Sequence, residues 1–339
     1  MTIDTSATAE KAPQHATARR ILPPPLTGQE IVLLGVVAVL WMLLGLFTPA
    51  FLTPGSIQPL LVAVAPIALI GVGMTFVIIT AGIDVSVGGA IMLCAVVTAK
   101  MLVNFDVPLL VAVLLSVVLG TLLGVINGVL TAYGRVHAII ITFGTANIFQ
   151  FFALRVFGSS TVNGIPSTLD VFGRGEAGRT FGIPHSFAIT LAIVALAWWY
   201  LRHSSGGRNL FAIGSNAQAA RLAGIKVQPR VVMAYAVTGA LVGLGSCFIL
   251  ASGTSTLDQA VGSGRELAVI AAVVIGGTSI LGGRGSVIGT LLGALLVQTV
   301  TSGVTQLGWP SQLANLFVGI FIIVAVGTDL LRERARRRA

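Results

Sequence analysis

The chain has 339 residues, of which 55% are hydrophobic and only 9% charged, with a net charge of +9. Soluble domains carry about 25% charged residues, so a mean hydropathy of +0.97 excludes a water-soluble fold. The basic excess flanks apolar runs rather than forming a patch of its own, which is a membrane-topology signal and argues against a nucleic-acid partner.

The apolar runs are continuous over about 17–25 residues, not ten-residue segments of alternating polarity. Lipid offers the backbone no hydrogen-bond partners, so such runs must be helices. The expected fold is an all-α polytopic membrane protein with about ten transmembrane helices. In chain order, residues 1–29 read as a cytoplasmic tail holding Lys11, Arg19 and Arg20 and ending near Pro23-Pro24-Pro25. No small-residue cleavage site follows, so a signal peptide is not expected.

Spans are predicted at 30–47, 58–80, 85–103, 107–131, 136–157, 185–201, 231–251, 267–281, 286–303 and 312–330. The eighth is short and glycine-bearing, which suits a partly re-entrant segment. A basic tail, 331–339, closes the chain with Arg332, Arg334, Arg336, Arg337 and Arg338. Ten spans put both termini on one side. With that side cytoplasmic, Arg135, Arg202, Arg208, Arg221, Lys226, Arg230 and Arg284 join the two tails inside. Only Lys100, Arg155, Arg174, Arg179 and Arg265 fall outside, as the positive-inside rule requires. Two connections are long, an outer one over 158–185 and an inner one over 202–230. The rest are short, so 30–330 reads as one helical bundle without a separate soluble domain. Cys94 and Cys247 sit in separate apolar runs as small buried residues.

The inner connection contains AIGSNAQAARLAGIKV (212–227). Ser215 followed by Gln218 spells a capping box, and Gly224 supplies a left-handed stop. The spacing predicts a helix of about two turns, marginal in water unless packing holds it. Ala219, Leu222 and Ile225 offer apolar contacts and Arg221 a polar one. Two readings stand on these residues: a linker helix on the membrane surface, or a docking element for a cytoplasmic partner.

This segment resembles the cytoplasmic coupling segment of sugar-type ABC importer permeases, the ribose permease family, close to GxNxxAARLxGIxV. Three further stretches resemble family motifs in the same order: ITAGIDVSVGGAIML (79–93), NGVLTAYGRVHAIIITFGTANIF (127–149) and ELAVIAAVVIGGTSILGGRGSVIGTLLGALL (266–296). Val85 and Phe143 stand where Leu is common. The resemblance covers about residues 30–330 and implies a type II-like importer permease in a bacterial inner membrane. It further implies two permease subunits lining a pathway, two ATP-binding subunits beneath, and a periplasmic binding protein delivering solute. Gly214, Asn216, Ala219, Ala220, Arg221, Leu222, Gly224 and Ile225 would then be the ATPase-coupling residues.

Polar groups at membrane depth are costly and often functional, although many only bond neighbouring helices. Asp84 and Ser86 lie in a glycine-rich connection before the third span. Asp84 reads either as part of a strained link that lines or gates the pathway, or as a cap on the helix that follows. Asn127, Thr142, Thr145, Asn147 and Gln150 suit the hydroxyls of a neutral sugar, and equally suit interhelical hydrogen bonding. The glycines at 276, 277, 282, 283, 285 and 289 predict close helix approach and a tight inner turn at Arg284. The four histidines are dispersed, so no metal site is expected. No GxxxxGK[ST] pattern occurs, so no cofactor is expected on this chain and ATP with Mg belongs to a partner subunit. An ion-coupled transporter would call for buried ionisable pairs, and a membrane enzyme for a clustered acid, base or nucleophile. Neither is found.

Overall fold

The computed structural model describes residues 28–338 except positions 135, 159, 160, 174 and 254, with side chains described as far as 327. Most of the N-terminal tail, Arg135, Arg174 and the side chains of the C-terminal arginines therefore lie outside the described residues. Twelve helices follow in chain order: α1 Gly28–Phe47, α2 Pro54–Ile79, α3 Val87–Asn104, α4 Leu109–Tyr133, α5 Ala138–Phe157, α6 His185–His203, α7 Ser205–Ser215, α8 Ala217–Leu222, α9 Val227–Ser252, α10 Arg265–Ile275, α11 Val287–Gln306 and α12 Gln312–Arg338. Eight of these are long and apolar enough to cross a membrane, and the apolar part of α12, Gln312–Gly327, is a shorter ninth.

The predicted span at 267–281 is the exception. Its helix, α10, has 11 residues, about 16 Å at 1.5 Å each and half the thickness of a hydrocarbon core. Gly276 ends it, because a helix continuing through Gly277 and the 282–283 pair would meet three positive-φ glycines. The remainder, 276–286, is a non-helical loop.

Burial sorts the helices into a centre and a rim. In α2, 89% of the most apolar window is buried, against 22% in α1 and in α5. Leu114, Leu122 and Ile126 of α4, with Ile140, Ile148 and Phe151 of α5, are exposed large apolar side chains. Such a rim is stable only against lipid or another apolar surface. The centre is closed by glycines. A Cβ at Gly120 or Gly124 of α4 would fall on the carbonyl oxygens of Gly239 and Tyr235 in α9. Spacing of four residues puts these glycines on one face, and their absence of side chains lets the two backbones touch. This zipper was not among the features the sequence made apparent. Gly276 of α10 and Gly289 of α11 meet in the same way.

Short strands tie the connections at one end of the bundle. Val162–Asn163 pairs antiparallel with Thr256–Leu257, and Arg179–Thr180 pairs with Ile183–Pro184. The opposite end carries α7 and α8. Cys94 and Cys247 are both buried as free thiols.

Candidate functional site

The α7–α8 end is shaped by local chemistry. Helix α8 starts at Asn216 rather than at Ser215, because Asn216 is extended and its Oδ1 accepts from the N–H groups of Gln218 and Ala219, both at 3.0 Å. Ser215 instead ends α7 and its hydroxyl donates back to the Phe211 carbonyl at 2.9 Å, which removes it from capping duty. The stop is as predicted. Gly224 has φ +80°, its N–H reaches the Arg221 carbonyl, and the Ile225 N–H reaches that of Ala220. That pair of bonds is the Schellman closure, which a left-handed residue makes possible.

Packing also differs in part from expectation. The residue that anchors α8 is Ala220, buried with Ile213 and Val227, with Ala217 and Ile225 packed around them. Ala219, Arg221 and Gly224 are exposed, and Leu222 is 92% exposed. A two-turn helix thus turns a leucine and an arginine outward at the end of the bundle.

Behind α8 lies a three-way junction. The Gly283 N–H donates to the carbonyl of Ile79, the last residue of α2, at 2.9 Å. A Cβ at Gly214 would fall on that same carbonyl and against the Gly283 nitrogen. Ala81, just beyond α2, has φ +63°. Its N–H bonds Ile78, and that of Gly82 bonds Val77. An alanine therefore holds a left-handed position at a cost of about 1–2 kcal/mol. Its methyl group faces Gly282 of the 276–286 loop. The loop is braced from the other side, where Gln29 covers Gly277 and buried Glu30 accepts from the Ser286 hydroxyl. Glu30 was overlooked in the sequence, although a carboxylate in the first turn of an apolar helix was the available signal.

From the junction the chain runs through 80–86 to α3, and here the polar residues singled out earlier come together. Asp84 Oδ1 accepts from the Ser86 N–H at 2.9 Å and the Ser86 hydroxyl at 2.6 Å. Asn127 Nδ2 donates to Ser86 Oγ at 2.5 Å. Thr142 Oγ1 lies 2.9 Å from the Ala138 carbonyl and 3.1 Å from that of Ile83, and accepts from the Val85 N–H at 3.1 Å. Asp84, Ser86, Asn127 and Thr142 are all buried. They fasten the connection to α4 and α5. Asp84 does not cap α3: it closes a turn onto Ser86, which holds the cap position with no side-chain bond to the N–H groups of the helix. Thr145 is also buried, and its hydroxyl donates to the Thr142 carbonyl at 3.2 Å. Asn147 is separate. It is exposed, donates to the Phe143 carbonyl at 2.8 Å, and borders a recess between α3 and α5.

The Asp84 node makes a graded expectation. Asp84→Asn keeps an acceptor oxygen for Ser86, so insertion and most activity should survive. Asp84→Leu strands the Ser86 groups in a dry site, at about 1–3 kcal/mol for each unpaired group. Its membrane level should fall accordingly. Detergent-solubilised yield and thermal stability check this, and equal loss in both variants would show that the charge itself is required.

A helical bundle with an exposed apolar rim, whose helix α7 meets the end of α2 and the 276–286 loop through Gly214, defines a class: a multi-pass membrane protein. Comparison with known proteins gives the class its family. Residues 56–326 match the family described as branched-chain amino acid transport system / permease component. The chain is 36% identical over 300 residues to the ribose import permease protein RbsC of Escherichia coli (strain K12), covering 88% of this chain and 91% of that one. It is 40% identical over 294 residues to the ribose import permease protein RbsC of Bacillus subtilis (strain 168), covering 86% and 89%. The fructose import permease protein FrcC of Rhizobium meliloti is 31% identical over 308 residues, covering 88% and 83%. No solved structure matches the chain. The chain belongs to this permease family and is a multi-pass, non-catalytic membrane subunit of an ABC transporter.

Proposed function

We propose that the chain forms the translocation pathway of an ATP-driven, binding-protein-dependent importer of a monosaccharide or a similar small polar solute. Similarity to permeases named for ribose and fructose supports the solute class. In this reading residues 30–330 are the permease domain, 202–230 is its coupling loop, and both tails lie in the cytoplasm of a bacterial cell. A separate ATPase binds ATP and Mg, a binding protein delivers solute from the opposite side, and a second permease subunit completes the path.

The observation that carries the reading is the exposed face of α8. A nearly bare leucine beside an arginine, on a helix whose two ends are fixed by Asn216 and Gly224, is organised to enter a groove of a partner protein. A helix lying on a bilayer would instead sink Leu222 and its apolar neighbours into the interface. Beside Leu222 on that face stand exposed Gln218, Ala219 and Arg221, while Ala217 and Ala220 are turned into the bundle.

The test is reconstitution. The permease is placed in proteoliposomes with the ATPase and binding protein that co-purify with it, and uptake of labelled D-ribose, D-fructose and D-allose is measured. Uptake should require ATP and the binding protein, and should persist when ion gradients are collapsed. Uptake that follows a proton or sodium gradient without ATP would overturn the proposal.

A further inference from the structure

The polar residues fixed around Asp84 do not face open space, and a different set does. A recess of about 200 Å³ lies between the start of α3, the middle of α5 and the segment leading into α10. At about 30 Å³ of liquid volume per water, it holds roughly seven, which suits one small solute. Its polar lining is Asn147, Gln150, Gln259, Ser263 and Glu266, with Met92 and Phe143 as apolar walls.

Three features make this a built site. The first is its depth. A Cβ at Gly89 would come within 2.5 Å of the Ala146 carbonyl, and Ala146 is near the midpoint of α5. Yet Leu257 pairs with Val162, beyond the end of α5. Residues 258–264 therefore descend from the end of the bundle to its middle, where α10 begins. The second is its wall of glycines. The Glu266 carboxylate lies against Gly88, where a Cβ would overlap it, and Gly262 rests on the Gly88 carbonyl. A side chain at Gly88 would displace the carboxylate from its present position.

The third is polarity. Gln150 and Asn147 are exposed on a helix whose other exposed residues include Ile140, Ile148, Phe151 and Phe152. Amides are costly against hydrocarbon and belong where water reaches. The Glu266 carboxylate has no hydrogen-bond or ion-pair partner among the described residues, and the neighbouring Arg265 turns to the Val261 carbonyl at 2.7 Å.

We propose that this recess is a solute-binding station in the pathway, in which Glu266 and the amides of Asn147, Gln150 and Gln259 hydrogen-bond the hydroxyls of a neutral polyol. The assignment rests on the importer reading and names the residues it leaves open. A carboxylate accepts from two hydroxyls at once, while amides both donate and accept. Met92 and Phe143 cover the carbon skeleton.

Ser263→Cys and Gln150→Cys, each introduced singly in the assembled transporter, provide the test, with Leu122→Cys on the exposed face of α4 as control. A charged, water-soluble methanethiosulfonate reagent should label the first two at least about tenfold faster than the control. D-ribose, D-fructose or D-allose, whichever the wild type imports, should slow that labelling, and leucine should not. Glu266→Gln should lower uptake at least about tenfold, with Glu266→Asp intermediate. Labelling as slow as the control overturns the recess as an aqueous site. Fast labelling without protection by an imported sugar, or with equal protection by leucine, overturns it as a polyol site. Failure of the wild type to import any of the three counts against the importer reading instead, and the labelling rates then judge the recess by themselves.

Discussion

Arg221→Glu and Gly224→Val should each leave the permease inserted in the membrane yet abolish solute uptake, and each should lower the amount of ATPase recovered with it. The two act by different routes. Arg221 is exposed on α8 and offers five donors in a fixed fork. Replacing them with a carboxylate removes charged hydrogen bonds worth about 1.5–3 kcal/mol and adds repulsion. Gly224 has open space where a Cβ would stand, so valine there meets no neighbour. Its cost is the backbone alone, about 1–2 kcal/mol for an ordinary residue at positive φ and more for a β-branched one. A six-residue helix held by one cap and one closure has little stability in reserve. Co-purification of the ATPase and ATP-dependent uptake are the readouts. Near-normal values in Arg221→Glu would refute docking at α8.

The sequence made the spans legible because lipid removes ambiguity: an apolar run of the right length has only one way to satisfy its backbone. It made α8 legible at its C-terminal end for the same kind of reason, since Gly224 alone suits a left-handed stop. The N-terminal end was misread by one residue. Ser215 and Asn216 are both good caps, and the choice fell to Asn216 because Ser215 was already bonded inside α7. Which alanine of 217–220 points inward depends on that start, and so Ala220 rather than Ala219 became the anchor.

The pathway was less legible. Asp84, Asn127 and Thr142 stand out in the sequence as polar groups at membrane depth, but composition does not tell a buried polar group from an open one. Tertiary placement separates them, burying these three and leaving Asn147 and Gln150 open. Glu266 could not be placed from sequence, because its significance depends on 258–264 dipping to the level of Gly88. No local pattern announces such a descent.

Two of the three walls of the recess are attached to the junction behind α8. The α3 wall reaches it through 80–86, and α10 reaches it through 276–286. In the proposed docking role, a displacement of α8 would pass through α7 to Gly214, which abuts the Ile79 carbonyl and the Gly283 nitrogen together. Close-packed backbone transmits such a displacement without slack, since no flexible side chain intervenes. On that proposal the recess would change width when the partner moved the helix, with the Asp84 node holding 80–86 to α4 and α5.

Gly214→Ala is the substitution that isolates this step. A single methyl group at Gly214 lands on the Ile79 carbonyl and the Gly283 nitrogen, and all three are backbone atoms that cannot rotate aside. The bond between Gly283 and Ile79 must lengthen or break, which leaves a donor and an acceptor unpaired at about 1–3 kcal/mol each. The exposed surface of α8 is untouched, so the ATPase should still be recovered at the wild-type level, in contrast to Arg221→Glu. Uptake should fall at least about tenfold, and stimulation of ATP hydrolysis by solute-loaded binding protein should fall with it. Gly35→Ala in α1 is the matched control, because a Cβ there meets nothing within 4 Å, and it should behave as wild type. If Gly214→Ala retains full uptake, the motion does not pass through the Gly214–Ile79–Gly283 junction, and the lever connecting α8 to the recess is lost with it. If instead the ATPase fails to co-purify, the junction serves to hold α8 in shape, and transmission must run through another contact.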